Sequence, residues 1–309
     1  DDRTPARTSP LLSGVMRLEQ THLDELEHRG FVIVEGFLTN DEVERARSVM
    51  FEIFPTPEQY FAGPENWPEF ECSQFSGIRL PSYGWDLDRL AFHPNLVDAA
   101  ERFLGSDDLE LYKVELWAKY SGAVDYDQPL HRDFGNHTLV VPRSDGVGRQ
   151  LTSFTLLSDV TEADGPTKLV PLKYSRHIPL GVELAAGVWP NSLAPGELAD
   201  VEVPVVGPAG TMLLYRTDVF HRGTNFTEPN RSRFALLADY QARGPTWMGK
   251  VAWPNHATKP GWAAMIEQAS LRERDLVGFP RVGDPYWDDE TLAGVQRRYP
   301  NLDLDPYRP

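Results

Sequence analysis

The chain has 309 residues, 41% of them hydrophobic, 11% aromatic and 25% charged, which excludes a disordered or collagen-like protein and allows either one elaborated all-β unit or two domains. Thirty basic against 46 acidic residues give a net charge of −16. Such a field repels phosphate backbones and anionic lipid surfaces, so no nucleic acid and no membrane is expected as a partner, and a coenzyme A thioester is weakly disfavoured.

Residues 1–17 begin with a stretch rich in Ser, Thr, Arg and Pro and read as a flexible tail. Leu18, Leu23 and Leu26 recur at helical spacing over 18–28, and Gly30 suits the left-handed residue that ends such a helix. Phe31-Val32-Ile33-Val34 reads as a short strand. Thr39 or Asn40 caps a helix over 41–51 with an acidic first turn. Residues 55–86, with their prolines and with Trp67 and Trp85, read as loop. Short β runs then follow at 111–120, 137–141, 151–157, 168–170, 201–206, 211–215 and 234–240. Turn residues such as Ser144-Asp145-Gly146, Asp164-Gly165-Pro166 and Gly207-Pro208 divide them. Many short strands with no helices alternating between them predict a mainly β barrel or sandwich. Helix returns over 262–275 and from a cap at Asp288 or Asp289 to Arg298. The expected organisation is a tail over 1–17, one β domain with N-terminal helices over 18–245, and a helical extension over 246–309 packed on it.

The chemistry narrows by elimination. A Gly-x-Ser-x-Gly elbow, a Gly-x-Gly-x-x-Gly turn and a phosphate-binding loop are all absent from the sequence. One cysteine, Cys72, excludes an internal disulfide and a multi-cysteine metal site. No apolar run reaches the ~18 residues of a membrane span, and the first residues, Asp1-Asp2-Arg3, open no basic-then-apolar signal. A start without methionine leaves room for a segment upstream, and a cytoplasmic location is expected.

Histidine and carboxylate remain. Two His-x-Asp tripeptides occur, His22-Leu23-Asp24 and His131-Arg132-Asp133, and chance alone supplies about one such match with either acid. Positions i and i+2 diverge on a helix, so His22 and Asp24 form a surface pair. They share a face on a strand, so His131 and Asp133 are a candidate chelate. A non-haem iron(II) site of the oxygenase type needs two histidines and one carboxylate on one face of the metal. His221, which follows the 211–215 run, fits the distant histidine, against the alternative of an ordinary core histidine. Arg233 opens the apolar run Phe234-Ala235-Leu236-Leu237-Ala238, where an arginine is costly unless paired. A guanidinium there could clamp a dicarboxylate or form a strand-end salt bridge. Arg231 has the same parity and competes with it.

Taken together, these segments resemble the phytanoyl-CoA dioxygenase-like family of iron(II)/2-oxoglutarate-dependent oxygenases. The resemblance runs from Glu27-His28-Arg29-Gly30-Phe31-Val32-Ile33-Val34-Glu35-Gly36-Phe37-Leu38 through His131-Arg132-Asp133 and 156–166 to Val170-Pro171 and Ser175-Arg176-His177. It closes with Gly210-Thr211-Met212-Leu213-Leu214-Tyr215, His221-Arg222-Gly223-Thr224 and Arg233-Phe234-Ala235. It implies a double-stranded β-helix with helices outside, iron(II) on His131, Asp133 and His221, and 2-oxoglutarate clamped by Arg233. The family usually carries a small hydroxyl residue two places after the distal histidine and the arginine nine further on. Here Thr224 comes three places after His221 and Arg233 nine beyond it, so one inserted residue explains both offsets and favours Arg233 over Arg231. The resemblance also suggests Arg79 as a second basic contact to the cosubstrate and Phe154 as an aromatic wall. His177, in an altered Pro-Gly-Ser-His corner, is expected to be structural.

The implied activity is hydroxylation of an unactivated C–H bond in a small-molecule metabolite or natural product, with 2-oxoglutarate and O2 consumed and succinate and CO2 released. Asp133 fills the position a halide would need, which argues against halogenation. A non-catalytic binding barrel of the same fold is the alternative; it predicts a missing ligand or no arginine clamp. A metal-dependent isomerase or hydrolase on a similar barrel would need no Arg233. Elsewhere, His137 reads as a loop histidine or a substrate neighbour. Glu115, Trp117 and Lys119 share a strand face and either line the substrate or simply pack. Trp253, Trp262 and Trp287 either cover the barrel mouth or pack as aromatics.

Overall fold

The computed structural model describes residues 18–67, 76–79, 84–123, 127–137, 143, 146, 148–180, 192–193, 196–244 and 260–308. Strands among them form two antiparallel sheets. The larger runs in the order β1 (Phe31–Val34), β9 (Met212–Arg216), β5 (Gln150–Leu156), β11 (Ser232–Ala242), β3 (Leu109–Tyr120) and β2 (Ser76–Arg79). The smaller runs β7 (Ser192–Leu193), β4 (Leu130–His131), β10 (His221–Gly223), β6 (Thr167–Leu169) and β8 (Val203–Pro204). They are the two leaves of the double-stranded β-helix, with the helices flanking it.

Strand parity sorts the side chains of the large sheet between its faces. Phe234, Leu236, Ala238 and Tyr240 of β11 join Val114, Leu116, Ala118 and Tyr120 of β3 and Met50, Ala99 and Ala100 of the outer helices in one core. The intervening Ala235 and Leu237 pack with Phe154, Leu213 and Tyr215, and with Leu169 of the small sheet, in a second core inside the barrel. Both faces of β11 are covered, which accounts for its apolar run Phe234-Ala235-Leu236-Leu237-Ala238.

The helix Gln20–Arg29 ends at Gly30 with φ 92°, and a Cβ there would stand 2.5 Å from Val219 Cγ2. Turn geometry and close packing both require glycine at this position. Thr39 caps the helix Asn40–Ile53 and exchanges a capping box with Glu42.

Four expectations need correction. Residues 55–86 are not all loop: they hold the helices Pro57–Ala62 and Trp85–Asp88 and strand β2. His137 ends the short helix Phe134–His137 and starts no strand, and residues 138–142 lie outside the described set. Of 201–206, only Val203–Pro204 is strand, because a 3-10 turn occupies Gly196–Val201. The helix expected over 262–275 is two, Pro260–Gln268 and Leu271–Leu276, broken where Ser270 caps the second through a box with Glu273. Asp288 caps the helix Asp289–Arg298. The C-terminal helices touch β11 and the turn before β3 through Asp275, which pairs with Arg243, itself bound to Asp108. Trp262 and Trp287 are buried in the outer core, donating to Tyr299 Oη and the Arg281 carbonyl. Trp253 and Cys72 lie outside the described residues. Among the described residues no helix is long and apolar enough to cross a membrane.

Candidate metal centre

The small sheet sets the geometry. β10 and β4 pair so that His221 and His131 face each other directly, and their ring centroids stand 4.3 Å apart. Asp133 joins them from the turn that follows β4, not from the strand itself. The Phe134 amide fixes that turn by donating to the Thr217 carbonyl at 3.1 Å. Arg132, between the two, points away: it donates to the Pro179 carbonyl at 2.8 Å and lies over the Phe220 ring. Arg222, beside His221, likewise turns outward onto Glu202, with bonds of 2.6 and 2.8 Å.

One candidate ligand atom from each of His131, Asp133 and His221 lies within 4.8 Å of the others. Asp133 Oδ1 is 3.4 Å from His221 Nε2 and 3.9 Å from His131 Nε2. Each Nδ1 faces a backbone carbonyl two residues earlier, Pro129 at 3.0 Å and Val219 at 3.1 Å. A carbonyl only accepts, so both Nδ1 atoms carry the proton, and in the neutral ring each Nε2 keeps its lone pair toward the cluster. Tyr215 Oη donates to Asp133 Oδ2 at 2.7 Å.

The charges are coupled. Burial alone would raise the Asp133 carboxyl, but His221, His137 and His131 hold it well below the ordinary range. Burial and His221 push His131 down to about 4. For His221 burial is outweighed by the Asp133 carboxylate, which raises it. Burial and Asp133 keep the Tyr215 phenol protonated, as a donor must be.

The three residues open on a cavity of about 160 Å³, whose wall also includes Lys113, Glu115, Trp117, Phe154, Arg233 and Leu237. Arg233 is 3% exposed, donates to the Gly165 carbonyl and sits 5.9 Å from the Phe154 ring centroid. Burial pushes it down to about 10 against the pull of Asp164, so it stays cationic at neutral pH. Arg231 is different: its side chain is 40% exposed and its guanidinium turns to Glu228 and Asp164. Gly165 makes this approach possible. At φ +58° it passes so close to the Thr224 carbonyl that a Cβ would stand 2.5 Å away.

Thr224 is buried and donates to the Pro166 carbonyl at 2.7 Å, and the cavity wall nearby is formed by Thr167 and Gly223. Arg79 ends β2 opposite Glu115, and its side chain lies outside the described residues. Glu115 and Trp117 line the cavity, while Lys119 donates to the Thr224 carbonyl. Lys113 lies 3.2 Å from Glu115 and 3.8 Å from Asp239. Burial would lower its ammonium, but these two carboxylates raise it above its ordinary range. His137 is buried against Tyr112, 2.7 Å from its hydroxyl. His177 stands apart from the cluster, and His22 accepts the Glu19 amide in a helix cap. The sequence reading missed Tyr215, Lys113 and Gln128 on the wall. Parity from Leu213 along β9 carries a signal for Tyr215. A larger groove of about 510 Å³ involves Glu27, Arg149, Arg216 and Asp218; Arg149 pairs with Glu27 and Arg216 with Asp218, and the groove holds none of the three clustered residues.

Solved structures share the fold. The non-heme alpha ketoglutarate dependent carbocyclase SnoK from nogalamycin biosynthesis superposes with a TM-score of 0.54 at 20% identity, covering 79% of this chain and 93% of its own. EvdO2 from Micromonospora carbonacea var. aurantiaca, complexed with 2-oxoglutarate, gives 0.55 at 16%, covering 78% and 96%. HygX from Streptomyces hygroscopicus with iron bound gives 0.55 at 18%, covering 75% and 90%. No curated protein matches the sequence. The family model of phytanoyl-CoA dioxygenase (PhyH) matches residues 26–235, so the chain belongs to the phytanoyl-CoA dioxygenase family that its motifs resemble.

Proposed function

We propose that the chain is an iron(II)- and 2-oxoglutarate-dependent dioxygenase that hydroxylates an unactivated C–H bond of a small-molecule metabolite or natural product. The observation that carries this reading is the convergence of two Nε2 atoms, one carboxylate oxygen and a buried guanidinium on one cavity. The donor set fits the ion: two imidazoles and one carboxylate, with both Nδ1 protons fixed on carbonyls, are the ligands of a non-haem iron(II) site that keeps positions open. A closed structural zinc site would need a fourth protein ligand.

His131, Asp133 and His221 would hold the metal, and Arg233 would pair with the distal carboxylate of 2-oxoglutarate, with Phe154 beside it. Thr224 acts on the same wall by fixing Pro166, and Arg79 is the second basic contact in this reading. Iron(II) and 2-oxoglutarate together supply the oxidising power for O2-dependent C–H hydroxylation, with succinate and CO2 as co-products. The side chains do no acid–base work at the reacting carbon; they bind, orient and exclude water. HygX with iron and EvdO2 with 2-oxoglutarate, on the same fold, support the reading.

The test is succinate formation and oxygen uptake with iron(II), with and without 2-oxoglutarate. Both should require 2-oxoglutarate, and both should vanish in His131→Ala and His221→Ala. Turnover that survives either substitution overturns the proposal.

A further inference from the structure

We propose that Tyr215 is a positioning residue that restricts Asp133 to a single metal-facing oxygen. The inference rests on the reading of His131, Asp133 and His221 as metal ligands. The carboxylate is divided between two partners: Oδ2 accepts the Tyr215 hydroxyl at 2.7 Å, and Oδ1 is the oxygen that approaches both imidazole Nε2 atoms. The tyrosine ring also packs edge-on against His221, with centroids 5.0 Å apart at 61°. One side chain therefore touches two of the three clustered residues.

Its own position is rigid. Tyr215 is 3% exposed and pairs with Phe31 of β1 on one side and Thr152 of β5 on the other. A carboxylate with both oxygens available can close on a cation as a two-oxygen chelate and take a second coordination position. A site that must keep positions for a chelating cosubstrate and O2 loses function if one is taken. The hydroxyl also satisfies an oxygen that would otherwise be buried without a donor. Phenylalanine at 215 would fill the same space without that bond, so the hydroxyl alone carries the effect.

The test uses the full chain, stripped of metal and titrated with Co(II) while the visible absorption is followed. Tyr215→Phe should weaken the Co(II) Kd by about 10–100-fold and change the absorption of the loaded protein, because the carboxylate gains freedom to bind through both oxygens. A Kd within about twofold of wild type with an unchanged spectrum overturns the proposal. His221→Ala separates it from the reading beneath: wild-type Co(II) binding in that variant sinks the metal triad itself. Lost binding in His221→Ala beside normal binding in Tyr215→Phe sinks only the role of Tyr215. If Tyr215→Phe fails to fold, 3-fluorotyrosine placed at 215 keeps both ring and hydroxyl. Its fluorine resonance should move on addition of Zn(II), and a resonance that stays in place overturns the proposal.

Discussion

Replacing Arg233 with methionine removes the guanidinium from the cavity and keeps a side chain of similar reach. Burial pushes the Arg233 guanidinium down to about 10, which disfavours its charged form by roughly 3 kcal/mol. A carboxylate arriving in the cavity relieves that cost by pairing with it. Charge-assisted hydrogen bonds are worth about 1.5–3 kcal/mol each, so one or two of them give a magnitude of the same order. Arg233→Met should therefore raise the Kd for 2-oxoglutarate by about 100-fold or more. The assay is calorimetric titration of 2-oxoglutarate into Co(II)-loaded protein, run beside KM in the succinate assay. 2-Oxovalerate has the same keto-acid end and no distal carboxylate, so its affinity should change by less than about threefold. Arg231→Met is the second control, because that guanidinium is exposed and paired with Glu228. A near-normal Kd for 2-oxoglutarate in Arg233→Met, or an equal loss in Arg231→Met, refutes the assignment.

Three further outcomes are expected. Gly165→Ala forces a Cβ against the Thr224 carbonyl at a positive φ, so it should cost about 1–3 kcal/mol in urea unfolding and weaken 2-oxoglutarate binding through Arg233. Asp275 takes bonds from Arg243, Arg272 and Arg281 at 2.9, 2.8 and 2.7 Å. Burial would raise its carboxyl, but Arg281 and Arg243 hold it below the ordinary range. Its contribution is present above the unfolded pKa and disappears as pH falls through the folded one. Asp275→Asn should thus lose about 1–3 kcal/mol at pH 7 and match wild type near pH 2, as read by urea unfolding at both values. Co(II) at about 100 times its Kd should add about 2.7 kcal/mol to unfolding stability, and His221→Ala should abolish that increment.

The long strands were legible because β9 and β11 carry apolar runs and β3 and β5 alternate apolar with polar residues, and their observed bounds fall within two residues of those expected. In the small sheet only β6, expected at 168–170, and the stretch around β8 were legible, while β4, β7 and β10 were not. Its strands have two or three residues, too few for any period to show. His131 and Asp133 converge for a reason that parity supplied only in part: β4 stops at His131, and a turn pinned by Thr217 delivers Asp133. The choice between Arg231 and Arg233 rested on spacing. Where β11 begins, Arg231 stays outside with Glu228 while Arg233 is carried inward, which supports Arg233 as the proposed clamp. The helix Pro94–Leu104 lay outside the expected elements, although proline in its first turn and Gly105 at φ 68° mark both ends. Lys113 and Tyr215 escaped notice because nothing along the chain shows which of many inward side chains reaches an ion.

The pairing of β10 with β4 through a single facing residue has a consequence for how the barrel closes. That seam has too little ladder to be firm by itself, and β7 and β6 hang on the same two short strands, with β8 on β6. An ion gripped by His131 and His221 would rivet it from the inside. Amide protons of β4, β6 and β10 should then exchange more slowly once Co(II) is added, while those of β3 and β11 stay as they were. Loading the metal and locking this leaf would then be one event.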